Sequence, residues 1–579
     1  MTMLTKWGAA LDRSCPLPEY PRPQLRRESF YNLNGVWDYA VTPSGDEPGV
    51  WDGEIVVPFS PEAPLSGAAR GPAKDEYLHY RRGFTLPEGF QKSRVLLHFG
   101  AVDQIAEVFV NGVSAAKHSG GYWPFSADIT SLLREGENTL RVTVRDNADD
   151  PTFAYGKQRY KRGGMWYTAQ SGIWQTVWLE SVPEVYVKSL RITPEFDEAR
   201  VRIELETALE SSAAITCDVR AADGSFVAGS WAKGGVCVVP LPGFRAWTPD
   251  DPYLYTLDIT CGEDRVESYF AMRKFSYVEL GGRKVFGLNN APLFHNGLLD
   301  QGYYPDGLLT PPSDEAMVND IETMKRCGFN MLRKHIKIEP LRWYYHCDRL
   351  GMIVWQDMVS GGQPYSFLHV SALPTLGKVD LPDQDAKPYG RSGVLSRARF
   401  RREMADTVRL LYNCPCIALW TVFNEGWGQF DALDMANELK KLDPTRFIDH
   451  ASGWQDQGYE EMKSRHIYFR PVKLKNDGRA LALTEYGGYI LAVDGHRWTD
   501  KVFGYRICRN SAALAHDYEK LMLGQVLPHI RKEGLTAAVY TQITDVEEEL
   551  NGLMTYDREV LKIPEETLRE INAALRFDT

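Results

Sequence analysis

Two short apolar runs that each end on a glutamate stand out in the hydrophobic pattern of the chain. Cys416-Ile417-Ala418-Leu419-Trp420 leads into Thr421-Val422-Phe423-Asn424-Glu425-Gly426-Trp427, and Ala480-Leu481-Ala482-Leu483 leads into Thr484-Glu485-Tyr486-Gly487-Gly488. A run that is apolar at every position is buried on both faces, as parallel strands of α/β folds are. From about Arg283 onward such runs alternate with helical patterns. Eight strand candidates are counted: Leu293–Gly297, Phe329–Arg333, Met352–Asp357, Ile417–Asn424, Arg446–His450, His466–Phe469, Leu481–Glu485 and Ala537–Thr544. Helices are expected over Ser313–Cys327, which opens on the capping pattern Ser313-Asp314-Glu315, and over Pro340–Leu350, Ser396–Tyr412, Ala432–Leu442 and Ala512–Glu533. Eight strands in some three hundred residues predict a (β/α)8 TIM barrel, with both glutamates on its C-terminal face.

The front of the chain alternates with a period of two instead. From about Phe30 to Val182, runs such as Ala106-Glu107-Val108-Phe109-Val110, closed by the hairpin signal Asn111-Gly112, predict a jelly-roll-like β-sandwich. From Val187 to about Tyr277, Val201-Arg202-Ile203-Glu204-Leu205-Glu206 and similar runs predict an immunoglobulin-like sandwich. The expected division is thus 1–182, 183–277 and 278–579. Two long connections break the rhythm, Asp146–Gly164 in the first module and Gly361–Tyr389 in the barrel. Loops of that length in a compact domain are functional or disordered more often than they are simple connections.

Composition narrows the choice of function. At 579 residues, 44% hydrophobic and 25% charged, the chain is an ordinary multidomain globular protein. A net charge of −11 argues against nucleic acid and anionic membranes as partners. The N-terminus has no apolar leader pattern and no stretch is long enough to span a bilayer, so a cytoplasmic protein is expected. Nine dispersed cysteines without Cys-x-x-Cys spacing read as reduced thiols, with no metal site among them.

Two carboxylic acids at the ends of barrel strands suit cleavage of a glycosidic bond, which needs one group to protonate the leaving oxygen and one to attack. Glu425 is assigned as acid/base and Glu485 as nucleophile, with Asn424 placed to meet the sugar 2-hydroxyl. Other strand ends supply candidate substrate contacts: Arg333 and His335 on the second, Asp357 on the third, His450 on the fifth, His466 and Tyr468 on the sixth and Tyr540 on the eighth. Arg333 could hold the nucleophile ionised, and the Tyr468 phenol could orient it.

The chain resembles glycoside hydrolase family 2, which contains β-galactosidases, β-mannosidases and β-glucuronidases. The resemblance is carried by Asn424-Glu425, by Thr484-Glu485-Tyr486-Gly487, and by the segments Gly328–His335 and Cys347–Asp357. In the first module Asn34-Gly35-Val36-Trp37, Phe109-Val110-Asn111-Gly112 and Gly172-Ile173-Trp174-Gln175 add to it. It implies a sandwich–sandwich–barrel order, a retaining double displacement, a carbohydrate substrate, and a loop from the first module that helps close the pocket. A homo-oligomer is a further option that the family allows. The large β-galactosidases of the family bind magnesium through a Glu-x-His pair after the third barrel strand. Here that segment reads Asp357-Met358-Val359-Ser360, so neither a catalytic metal nor another cofactor is expected. The Asn-x-Lys motif with which β-glucuronidases grip the sugar carboxylate is missing after Glu485. A β-galactosidase leads these expectations. A β-mannosidase, β-glucuronidase, furanosidase or transglycosidase, and a non-catalytic carbohydrate-binding protein, stay open beside it.

Overall fold

The computed structural model describes residues 3–209, 214–376 and 380–578. Its first module is a sandwich of two antiparallel sheets. Six strands run in the order Gly53–Val57, Gly35–Thr42, Tyr77–Thr85, Glu137–Arg145, Ile105–Val110 and Val113–Ser119. Opposite them lie Tyr31–Asn32, Val177–Val182, Arg94–Phe99 and Phe125–Asp128. Alternation along these strands puts Trp37, Tyr80, Leu97, Val142 and Leu179 into one core between the sheets. Asn111 and Gly112 both take positive φ, 52° and 83°, as the hairpin signal requires. The second module is a smaller sandwich of three and four strands between Val187 and Phe270, closed over Ile203, Cys217, Val239 and Leu257.

The barrel strands are β1 (His295–Asp300), β2 (Met331–Lys334), β3 (Ile353–Asp357), β4 (Ile417–Thr421), β5 (Phe447–Asp449), β6 (Met462–Ile467), β7 (Ala480–Gly487) and β8 (Leu535–Thr541). Parallel ladders join them in the order β5-β4-β3-β2-β1-β8-β7-β6. Among the described residues no ladder joins β5 to β6, so the barrel is nearly closed. A side chain bridges that seam: Ser464 Oγ lies 2.9 Å from Asp449 Oδ1 and 3.0 Å from the Ala451 carbonyl. Met331, Trp355, Leu419, Ala482, Ala537 and Val539 fill the barrel interior. A three-stranded sheet over residues 275–292 straddles position 277 and packs beneath that core, where Phe286 stacks on Phe447 at 4.2 Å.

Local chemistry explains where the helices start and stop. Ser313 caps the helix Asp314–Arg326 by accepting from the Ala316 N–H, and Gly351 ends Leu341–Leu350 in the left-handed region. The expected helix Ala512–Glu533 forms as two α-helical pieces, Ser511–Leu521 and Leu527–Glu533, around a wider turn at Met522–Val526. Pro528 lacks an N–H to donate backward, and the wider turn precedes it. The loop Gly361–Tyr389 contains short helical turns at Leu368–Ala372 and Leu373–Thr375, while its residues 377–379 lie outside the described set. Among the described residues no helix is long and apolar enough to cross a membrane.

Candidate active site

Beyond β4 the chain makes a tight left-handed turn. Glu425, Gly426 and Gly428 all have positive φ, 55°, 73° and 67°. Two of the three are glycine, for which the conformation costs little; Glu425 carries the strain of a side chain there. The turn is pinned by the Glu425 N–H donating to the Ser452 carbonyl at 3.0 Å, and by Trp454 Nε1 donating to the Glu425 carbonyl at 2.9 Å. The carboxyl of Glu425 is thereby aimed into the barrel mouth and keeps a 22% exposed side chain.

Glu485 lies inside β7 and is 6% exposed. Arg333, fully buried on β2, organises the floor beneath it. Its Nη1 donates to Glu485 Oε1 at 3.0 Å, its Nε and Nη2 form a fork on Asp357 at 3.0 Å each, and Nη2 also reaches Asn424 Oδ1 at 2.8 Å. His335 Nδ1 lies 2.7 Å from Asp357 Oδ2. Tyr468 donates to Glu485 Oε2 at 2.6 Å. His466 Nδ1 stands between the two glutamates, 2.8 Å from Glu425 Oε1 and 3.5 Å from Glu485 Oε2.

These contacts set the charge states. Burial would raise the Glu485 carboxyl, but His466, Arg333, His335 and the Tyr468 hydroxyl outweigh it and hold the group well below the ordinary carboxylate range. Asp357 follows the same logic: burial raises it, Arg333 and His335 bring it down to about 2. Burial and the negative charge of Glu485 push the Tyr468 phenol up, so it stays a proton donor.

Arg333, His335, Asp357, Asn424, Glu425, His466, Tyr468 and Glu485 are thus brought together. Two other candidates are not. Tyr540 sits on the outer face of β8, since Ala537 and Val539 point inward and parity turns position 540 toward the helices. There it packs edge-on against Tyr486, Tyr489 and Tyr518. His450 follows β5 but faces its own loop, accepting from the Gln457 N–H at 3.0 Å and lying 3.2 Å from Asp456. Several neighbours were missed. Ser452 Oγ is 3.2 Å from His466 Nε2, Thr541 Oγ1 is 3.0 Å from the Tyr468 hydroxyl, and Tyr505 stacks on Tyr468 at 3.9 Å. Ser452, Trp454 and Tyr505 lie on irregular loops without a pattern to flag them. Thr541 could have been found from the inward parity of Ala537 and Val539.

Among the described residues one grouping has ligand spacing for a metal ion, Glu425, His466 and Glu485, whose ligand atoms all lie within 4.8 Å of one another. At the position of the family's magnesium-binding segment, both oxygens of Asp357 already serve Arg333 and His335, so that donor set does not fit the ion.

The long loop of the first module docks on this face. The N–H groups of Tyr155 and Gly156 donate to the Ser360 carbonyl at 3.1 and 2.9 Å, and the Tyr155 hydroxyl donates to the Gly362 carbonyl at 2.8 Å. Trp166, just beyond the loop, meets Trp427 edge-on at 5.1 Å, and Arg159 lies over Trp166 at 4.4 Å. The pocket wall therefore comes from residues before 170 and its carboxylates from residues after 420.

Comparison with known proteins agrees along the chain. Residues 64–183 match the sugar binding domain of the glycosyl hydrolases family 2, residues 185–273 a second domain of that family, and residues 311–473 its TIM barrel domain. A β-galactosidase of Halalkalibacterium halodurans is 23% identical over 502 residues, 78% of this chain and 45% of that protein. A β-glucuronidase of Paenibacillus borealis is 22% identical over 536 residues, 82% of this chain and 85% of that protein. The chain spans less than half the length of the first curated relatives it matches, at 45%, 47% and 37%. Among solved structures, the β-glucuronidase of an uncultured Clostridium sp. has a TM-score of 0.75 at 19% identity, covering 95% of this chain and 99% of that one. A β-galacturonidase from Eisenbergiella tayi has a TM-score of 0.70 at 19% identity, covering 97% and 99%. Shared fold from end to end and three matched domains in one order lead to one assignment: the chain belongs to glycoside hydrolase family 2.

Proposed function

We propose that the chain is a retaining exo-β-glycosidase that removes terminal non-reducing sugars by double displacement. The observation that carries this reading is the approach of the Glu425 and Glu485 carboxyl groups to within 4.8 Å. Retaining enzymes hold their pair roughly 5–5.5 Å apart, whereas inverting ones leave roughly 6.5–9.5 Å for a water. In this reading Glu485, ionised and steadied by Arg333 and Tyr468, attacks the anomeric carbon. Glu425, the more exposed of the two and hydrogen-bonded to His466, protonates the departing oxygen and then takes a proton from the incoming water. Asn424 Oδ1 accepts from Arg333, which leaves the Asn424 amide N–H groups to donate to the sugar 2-hydroxyl. Neither step calls for a metal.

With this goes the proposed division of the chain at 182 and 277, the barrel supplying the chemistry and the first module one wall of the pocket. The named relatives divide between galactosides and glucuronides. The galactoside reading comes from the family resemblance alone; a uronide reading has support of its own in the pocket wall. The mechanism is tested with 2-deoxy-2-fluoroglycosyl fluorides, which accumulate the covalent intermediate. Mass spectrometry of the digested protein should find the label on Glu485. A label elsewhere, or a first-formed product of inverted configuration by NMR, would remove the double displacement as assigned.

A further inference from the structure

The loop that docks on the barrel carries one cation whose partner is missing. Lys157 is 9% exposed, yet among the described residues its ammonium makes no hydrogen bond and no ion pair. The side chain passes over the Trp166 ring at 5.6 Å. Its place is fixed by backbone rather than by its own charge. The Lys157 carbonyl accepts from the Tyr167 N–H at 3.0 Å, and Gly156 before it takes φ +62°. A Cβ at Gly156 would stand 2.9 Å from the Ile336 carbonyl, so only glycine lets the loop settle against the residue that follows His335.

The ammonium is thus held at the C-terminal end of β2, on the same face as the two glutamates. Its field is felt at His335, where it disfavours protonation, and at Glu549, where it favours ionisation. Glu549 is otherwise engaged, one oxygen accepting from the Tyr167 hydroxyl and the other from Asn551 Nδ2 at 3.1 Å. The side chain is largely covered, but its nitrogen is not sealed off, and no acceptor of the protein stands beside it among the described residues. Such a group is built to meet an anion that arrives with the substrate.

We propose that Lys157 receives the carboxylate on C5 of a uronic acid residue, which makes the substrate class β-linked uronides. The sugar ring would lie with its anomeric carbon at Glu485 and its C5 substituent toward the loop of the first module. A charge-assisted bond there replaces the missing partner, whereas a neutral hexose offers only a hydroxyl. This inference rests on the glycosidase reading of the same pocket.

The test compares the 4-nitrophenyl β-glucuronide and β-galacturonide with the matching glucoside and galactoside, on the wild type, Lys157→Met and Lys157→Arg. Wild type should prefer the uronides. Lys157→Met should lower the uronide-to-neutral ratio of kcat/KM about 100-fold, and Lys157→Arg should keep most of it, with thermal melting reporting that both variants fold. A wild type that prefers the neutral glycosides, or a Lys157→Met variant that slows both classes alike, overturns the assignment while leaving the double displacement standing. Should none of these four glycosides turn over, the glycosidase reading passes to the fluoroglycoside label on Glu485, and calorimetry with free glucuronate, galacturonate, glucose and galactose still decides on Lys157. Tighter binding of the acids that is lost in Lys157→Met supports the Lys157 site, and equal binding of acids and neutral sugars removes it.

Discussion

Glu180 and Glu485 begin from the same materials and end in different roles. Each lies on a strand, each is buried, and each is held ionised by arginine against the cost of burial. Glu180, in the sandwich strand Val177–Val182, accepts from Tyr20 at 2.6 Å, from Trp178 at 3.0 Å, twice from Arg22 at 2.8 Å and from Arg27 at 3.1 Å. Both of its oxygens are saturated. Glu485 has one bond to each oxygen, from Arg333 and from Tyr468, and faces Glu425 across the pocket. The first carboxylate ties the N-terminal segment to a sheet. The second keeps lone pairs in reserve, and that reserve is where chemistry can occur.

Three substitutions probe this contrast, from the strongest effect to the mildest. Glu485→Ala should lower turnover of aryl glycosides by about 10⁴-fold or more with little change in melting temperature, and activity within tenfold of wild type would show that the reserve is not used. Glu180→Gln should do the reverse. It strips the charge from a saturated knot and should cost about 3 kcal/mol of stability while leaving kcat intact, as read by denaturant unfolding and a kinetic assay. The pH dependence has a definite sign here. Because the folded-state pKa of Glu180 is depressed, its contribution is present above the unfolded pKa and is lost as pH falls through the folded value. The wild type should therefore lose stability in acid, and Glu180→Gln should show a flatter acid profile.

Tyr468→Phe should act on the tuning of Glu485 alone. Removing the phenol raises the carboxyl pKa, so activity should disappear at a higher pH on the acid side, by about one pH unit for a hydrogen bond to a charged group. An unmoved acid limb would assign the tuning to Arg333 and His466 instead.

The barrel and its carboxylates were legible because buried parallel strands write themselves as unbroken apolar runs, and such runs end at the functional face. Ile417–Thr421 and Ala480–Gly487 are of this kind. β6 was harder to read. Met462-Lys463-Ser464-Arg465-His466-Ile467 borders the seam without a ladder on one side, so it carries polar residues, and its expected start at His466 fell four residues late. Tyr540 was misplaced because nearness to a strand end says nothing of the face a side chain takes; parity decides that. The neighbours Ser452, Trp454 and Tyr505 are held by tertiary contacts alone. Lys157 was visible within a loop of evident purpose, but the partnerless state of its ammonium arises only when a sandwich meets a barrel some two hundred residues further on.

The docking of that loop through Ser360 and Gly156 has an evolutionary reading. Bond cleavage and recognition of the sugar's far side are encoded in separate stretches of chain that meet only in the folded molecule. Selection can therefore redraw what is recognised by editing a docked loop of the first module, while the barrel that performs the cut is inherited unchanged. A library confined to residues 153–166 would explore new sugars without placing a single catalytic carboxylate at risk.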